Sequence, residues 1–151
     1  MTLKTDGREF AKLESIARRV LAQKGCSWCK KRKLSDWAMH LADEARELEE
    51  ALKRRDFEEA AEELGDVLYV AVLLGVRAEQ DKRFCIVDSL RAAQAKIPRR
   101  HPQIWGNRTY ANEQELWDTY RSIKLLERVG KRWRHRRSKI AHQKQMPKRI
   151  S

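Results

Sequence analysis

The sequence predicts an all-α protein: a bundle of four to five helices followed by a basic C-terminal tail. Three observations predict it. Charged residues make up 37% and aromatics 7% of the 151, a balance that suits helices with ion-paired outer faces better than a β-sandwich. Apolar residues recur at helical spacing through most of the chain. Between those stretches fall the glycines, prolines and short polar residues that start and stop helices. The length fits one domain with a real core.

The first helix is expected from a cap at Asp6 to about Lys24, with Phe10, Leu13, Ile16, Ala17, Val20 and Leu21 on its apolar face and Gly25 ending it. A loop, CSWCKKRKL, follows from Cys26 to Leu34. Cys26 and Cys29 have the spacing of a metal knuckle or a redox pair. A zinc site, however, takes about four ligands, and the remaining cysteine, Cys85, is isolated.

Ser35 or Asp36 is expected to cap the second helix, which ends near Arg54. Its stripe is Trp37, Leu41, Ala45, Leu48 and Leu52. The third helix opens with a capping box, Asp56 with Glu59. Its stripe runs through Phe57, Ala60, Ala61, Leu64, Val67, Leu68, Ala71 and Val72 into an apolar segment, VLYVAVLLGV. Such all-round hydrophobicity fits the centre of a bundle or a subunit interface. A fourth helix spans about Val87 to Lys96, with Leu90, Ala93 and Ile97 inward and Pro98 stopping it. Asn112 with Glu115 forms a second capping box for the last helix, with Leu116, Tyr120, Ile123 and Leu126 inward.

The net charge of +12 is unevenly spread. Arg128 to Ser151 holds ten Lys or Arg and no Asp or Glu, so the first 127 residues carry 24 basic and 22 acidic groups, or +2. The expected organisation is a nearly neutral domain over residues 1–127 and a basic, flexible tail over 128–151. Ten cations with Trp133 suit nucleic-acid phosphates and bases. No run of eighteen apolar residues argues for a membrane span. The N-terminus lacks the apolar stretch of a secretory signal. Three cysteines, an odd number, point to a reducing cytoplasm.

The chemistry-bearing residues lie between His40 and Tyr69. Glu44 with Glu47, and Glu63 with Asp66, are each three apart, so each pair stands on one helix face. At roughly 100° per residue, both pairs flank their apolar stripe instead of opposing it. Antiparallel packing through those stripes brings four carboxylates together. Like charges a few Å apart repel unless a cation intervenes. Hard oxygens with no His or Cys in the pattern favour Mg²⁺, with Mn²⁺ as the alternative. The plain alternative, solvated surface, fits less well beside an apolar stripe. Downstream, Lys96 precedes Arg99-Arg100-His101-Pro102; guanidinium groups bind phosphate bidentately.

The arrangement D-E-A-R-E over Asp43–Glu47, a spacer, E-E-L-G-D over Glu62–Asp66, then K-I-P-R-R-H-P over Lys96–Pro102 resembles the MazG family of nucleoside triphosphate pyrophosphohydrolases. The resemblance runs from about Phe10 to about Glu127. It implies an all-α fold, Mg²⁺ held by Glu44, Glu47, Glu63 and Asp66, and attack of water at the α-phosphorus to give a monophosphate and pyrophosphate. One of the carboxylates is then the general base; Asp43 is a weak candidate. Lys96, Arg99, Arg100 and His101 would face the pyrophosphate, with Trp28 and Lys124 as further substrate contacts. A homodimer or dimer of dimers is also implied. Cys26 and Trp28 match the family's nucleotide-pocket loop, but Cys29 stands at its Asp, and Arg32 and Lys33 replace a polar pair. Pro98, Trp105 and Tyr120 depart from it as well. These departures leave base and sugar preference open. The rival readings are a nucleic-acid-binding protein acting through the tail, and a homologue that binds nucleotide without turnover.

Overall fold

The computed structural model describes residues 7–145, with side chains through residue 130. Asp6, the side chain of Trp133 and most of the basic stretch fall outside that description. Every element among the described residues is a helix: α1 (Gly7–Val20), α2 (Ser27–Lys30), α3 (Leu34–Arg54), α4 (Phe57–Gln80), α5 (Ile86–Arg100), α6 (Pro102–Trp105) and α7 (Glu113–Gln145). None is long and apolar enough to cross a membrane. The chain divides into two compact units, residues 1–90 and 91–151.

In the first unit, α3 and α1 both pack on α4. The core joins Ala17 and Leu21, Trp37 of α3, and Val70, Val72, Leu73 and Val76 of α4. Removing that apolar surface from water stabilises the unit by roughly 25 cal/mol per Å². The C-terminal half of α4 is buried on several sides, as its composition predicts. Its N-terminal half is not: Phe57 is 66% exposed, and Leu64 and Leu68 are half-exposed.

Helix boundaries obey local chemistry, with corrections to the sequence reading. The first helix stops at Val20, not near Lys24. Gly25 still closes the turn, because its amide reaches Ala22 O at 2.8 Å while Cys26 N reaches back to Val20 O at 2.8 Å. A Cβ at Gly25 would sit 2.2 Å from Val20 O. The loop expected after it contains the short helix α2. Lys33, not Ser35 or Asp36, is the N-cap residue of α3, and Asp36 contributes from the first turn by accepting from Lys33 N at 2.8 Å, as in a capping box. Asp56 caps α4 by accepting from Glu59 N at 3.1 Å. Glu59 leaves its half of that box unmade and pairs with Arg54 instead, since a charged partner outbids a neutral amide.

In the second unit, Pro98 lies inside α5 and does not stop it. Proline removes one amide donor, but Arg99 Nη1 donates to Ala95 O at 2.6 Å and His101 Nδ1 lies 2.9 Å from Ile97 O. Side chains thus engage carbonyls near the break. Leu90, at the end of the first unit, and Ile97 of the second, both on α5 and expected inward, are exposed, and Leu126 of α7 is 71% exposed. Asn112 caps α7 through Glu115 N at 3.0 Å, while Glu115 reaches back to Ala111 N at 2.9 Å. The α7 backbone continues past residue 127 to Gln145.

Candidate active site

Helices α3 and α4 each contribute one turn of acid. Glu44 of α3 and Glu63 and Asp66 of α4 bring carboxylate oxygens within 4.8 Å of one another. Glu47 stands outside that trio, yet of the neighbouring charges it acts most strongly on both Glu44 and Glu63. Burial, then the charges of Glu47 and Asp66, push the Glu44 carboxyl above its ordinary value. The same causes in the same order raise Glu63, with Glu44 adding to them. Asp43 is engaged with Arg46 across the outer face of α3.

One oxygen tests whether a cation belongs here. Glu63 Oε2 is buried and has no hydrogen-bond partner among the described residues. A buried carboxylate oxygen without a donor costs of order 1–3 kcal/mol or more, and like-charged neighbours add to that. A hard divalent cation removes both penalties at once, and an all-oxygen donor set is the kind Mg²⁺ or Mn²⁺ takes. The residues fit the ion.

Beside the trio lies a cavity of about 320 Å³ whose lining joins Glu44 and Asp66 with Trp28, Cys29, Trp37, His40 and Tyr69. Trp28 and Trp37 meet edge to face, with centroids 6.2 Å apart and planes at 87°. His40 packs against both, at 5.6 and 5.7 Å. The Arg32 guanidinium lies 4.1 Å from the Trp28 ring centroid, a cation–π contact. Arg77 Nη1 donates to Lys30 O at 2.7 Å and Lys30 Nζ to Gln23 O at 2.6 Å. Those two bonds fix the loop that carries Trp28. Sequence reasoning named Trp28 but passed over His40 and Tyr69. The signal was present: His40 is four residues before Glu44, and Tyr69 three after Asp66, so each shares the acid's helix face.

The second unit holds the expected phosphate-binding residues. Arg100 Nε and Nη2 donate to Glu127 Oε2 at 3.0 and 2.6 Å, and Arg99 Nε and Nη2 to Oε1 at 3.3 and 3.0 Å. One carboxylate is thus shared by two guanidiniums. Arg100 lies 5.8 Å from the Tyr120 ring, and His101 packs on Tyr120 and Trp105. Hydrogen bonds from Arg100, followed by those from Arg99, hold the Glu127 carboxyl below its ordinary value despite burial. Glu127 was not anticipated. Lys96 lies on α5 three residues before Arg99, and Lys124 on α7 three before Glu127.

Residues 33–105 match a family model described as the MazG nucleotide pyrophosphohydrolase domain. A nucleoside triphosphate pyrophosphohydrolase of Escherichia coli K12 is 31% identical over 109 residues, covering 72% of this chain and 41% of that protein. A nucleoside triphosphate pyrophosphohydrolase/pyrophosphatase MazG of Thermotoga maritima is 30% identical over 131 residues, covering 85% of this chain and 51% of that protein. The chain therefore spans about half or less of these relatives' lengths. A solved MazG-related protein from Thermotoga maritima superposes with a TM-score of 0.62 at 26% identity, covering 76% of this chain and 97% of that one.

Proposed function

Since residues 33–105 match the MazG domain and a MazG-related structure shares the fold, we propose that the chain is a member of that family and hydrolyses a nucleoside triphosphate to the monophosphate and pyrophosphate. The observation that carries this reading is the trio of Glu44, Glu63 and Asp66 around the orphaned Glu63 oxygen. Those three carboxylates would hold Mg²⁺, or Mn²⁺ in its place. When bound, such an ion would supply positive charge that offsets the negative charge building up in phosphoryl transfer.

The chain's own residues do the remainder. Trp28, Trp37, His40 and Tyr69 offer flat, apolar faces beside the acids, which suits the nucleoside end of the substrate. Glu47, left free by the trio, accepts a proton from water as the water oxygen attacks the α-phosphorus. The bond between the α-phosphorus and its bridging oxygen breaks, and pyrophosphate leaves with that oxygen. In the second unit, Lys96, Arg99, Arg100, His101 and Lys124 are the proposed phosphate contacts on the strength of the family resemblance, and there Arg99 and Arg100 share the Glu127 carboxylate. Phe57, Leu64 and Leu68 recur at helical spacing on one face of α4, and a second copy of the chain covers them in a homodimer or dimer of dimers.

The test is a screen of canonical and damaged NTPs and dNTPs with Mg²⁺, reading pyrophosphate release. Release from at least one substrate, abolished in Glu63→Gln, is expected. Release from none overturns the reading. Light scattering that finds a monomer at tens of micromolar would remove the assembly from it.

A further inference from the structure

The Cys26–Cys29 pair takes no part in the hydrolysis proposed above, yet it is built into the wall of the aromatic cavity. Cys26 caps α2, with φ −60° and ψ 114°, and its Sγ accepts a hydrogen bond from Cys29 N at 3.3 Å. The acidities of the two thiols depend on each other, as expected of sulfurs held close together. With a rise of about 1.5 Å, a radius of about 2.3 Å and about 3.6 residues per turn, residues three apart on a helical turn have Cα atoms about 5 Å apart, inside the Cα range a disulfide spans. Cys26 is exposed, whereas Cys29 is half-buried and lines the cavity beside Trp28. Among the described residues these sulfurs join no third side chain able to hold a metal. The pair is a dithiol with one accessible and one sheltered member.

We propose that Cys26 and Cys29 are a dithiol–disulfide site that takes oxidising equivalents from a small disulfide such as glutathione disulfide, and that the oxidised form alters the cavity wall at Trp28. The Cys26 thiolate attacks one sulfur of the small disulfide, forming a mixed disulfide and expelling one small thiolate. Cys29 loses its proton to water and attacks Cys26 Sγ, forming the intramolecular bond and expelling the second small thiolate. Two protein thiols are oxidised to one disulfide, and one small disulfide is reduced to two thiols. The order follows from access, and the acidities agree with it. Hydrogen bonds from the Cys29 side chain and backbone hold the Cys26 thiol below its ordinary value, while burial pushes Cys29 up to about 11.

Oxidation draws the two sulfurs to a covalent separation of about 2.05 Å. The ring it closes contains Trp28, whose position against Trp37 and His40 shapes the cavity. The Arg77–Lys30 bond fixes the far end of the loop, so the adjustment falls on Trp28. The consequence for turnover rests on the hydrolase reading; the sulfur chemistry does not.

The experiment treats the full chain with glutathione disulfide and reads mass and free thiols. The expected result is a fall from three free thiols per chain to one, with a mass loss of two hydrogens and no adduct. Cys29→Ser should trap a glutathione adduct on Cys26, and Cys26→Ser should form no intramolecular bond. Three free thiols remaining in the treated wild type, or an unresolved adduct on it, overturns the proposal. For turnover, the oxidised protein should show a severalfold higher KM, reversed by dithiothreitol and absent in Cys26→Ser. A disulfide that forms without moving KM overturns the cavity half of the proposal. A reduced protein with no turnover on any nucleotide counts against the hydrolase reading and leaves the thiol result standing.

Discussion

The two units handle crowded charge in opposite ways. In the first, Glu44, Glu63 and Asp66 crowd together and one oxygen of Glu63 is left with no partner. In the second, Glu127 is shared by Arg99 and Arg100, and both of its oxygens are bonded. Both places draw carboxylates partly out of water: Glu44, Glu63 and Glu127 are half-buried, and Asp66 is exposed. The difference lies in what completes them: the second is satisfied by its own chain, while the first requires something from outside. An unsatisfied cluster is a poor way to hold a fold together and a good way to bind a cation.

The largest expected effect breaks the first side of the contrast. Glu63→Gln or Asp66→Asn should lower turnover by orders of magnitude while leaving the fold intact. Without divalent ion, either variant should melt at or above the wild-type temperature, because one crowded charge is gone. Mg²⁺ should raise the wild-type melting temperature and barely move the variants'. Pyrophosphate release and thermal shift, read side by side, check this. Undiminished turnover in both variants would sink the mechanism.

Next in size is the second side. Arg100 and Glu127 are only 14% and 18% exposed at their side chains. Glu127→Gln should therefore cost about 1–3 kcal/mol, the scale for a weakened charged hydrogen bond that leaves its partner uncompensated. Denaturant melts of the two proteins give the number. A variant as stable as wild type would show that the pairing is incidental to the fold.

A pH titration of the metal-free protein sharpens the comparison, because the two regions should respond with opposite sign. The Glu44 and Glu63 carboxyls titrate above their ordinary value of 4.5 in the folded state. The native protein then binds more protons than the unfolded chain just above that value. Their contribution to stability is complete below 4.5 and lost as pH rises through the folded values. The Glu127 carboxyl is displaced downward from the same 4.5, so its contribution is present above that value and lost as pH falls through the folded one. Acidifying from neutrality should first raise the melting temperature and then lower it. Glu63→Gln should reduce the rise, and Glu127→Gln the fall. Identical profiles for wild type and both variants would refute the assignment.

The smallest effect lies within one ion cluster. Arg99 is 58% exposed, against 14% for Arg100. Arg99→Ala should move stability by no more than about 0.5 kcal/mol, as exposed pairs do. It should nonetheless weaken inhibition by pyrophosphate if Arg99 takes a phosphate oxygen. A normal inhibition constant would remove Arg99 from the site.

The features legible in the sequence were those set by near neighbours. The helices, the caps at Asp56 and Asn112 and the facing acids of α3 and α4 follow from spacings of three and four residues. The features that escaped depend on distant partners or on competition. Glu127 lies 27 residues from Arg100, and no periodicity announces that pairing. Pro98 is a stop by its own chemistry, but side chains of Arg99 and His101 engage nearby carbonyls and the helix continues. Glu59 matched a capping box, yet Arg54 competed for it and won. The aromatic wall was half visible: Trp37 reads as core because it is core, and its second face on the cavity emerges only after folding.

Gly25 carries a consequence for how freely this chain can vary. The atoms nearest its missing Cβ, Val20 O at 2.2 Å and Arg19 O at 2.6 Å, belong to backbone and cannot swing aside. The turn that delivers the Cys26–Cys29 loop thus admits one residue type. Gly65, inside α4, meets nothing within 4 Å, and alanine there should gain up to about 1 kcal/mol of helix propensity. In a saturation library the two positions would part completely. Position 25 would collapse to a single letter, while position 65 would accept small residues and record only their effect on the acids beside it.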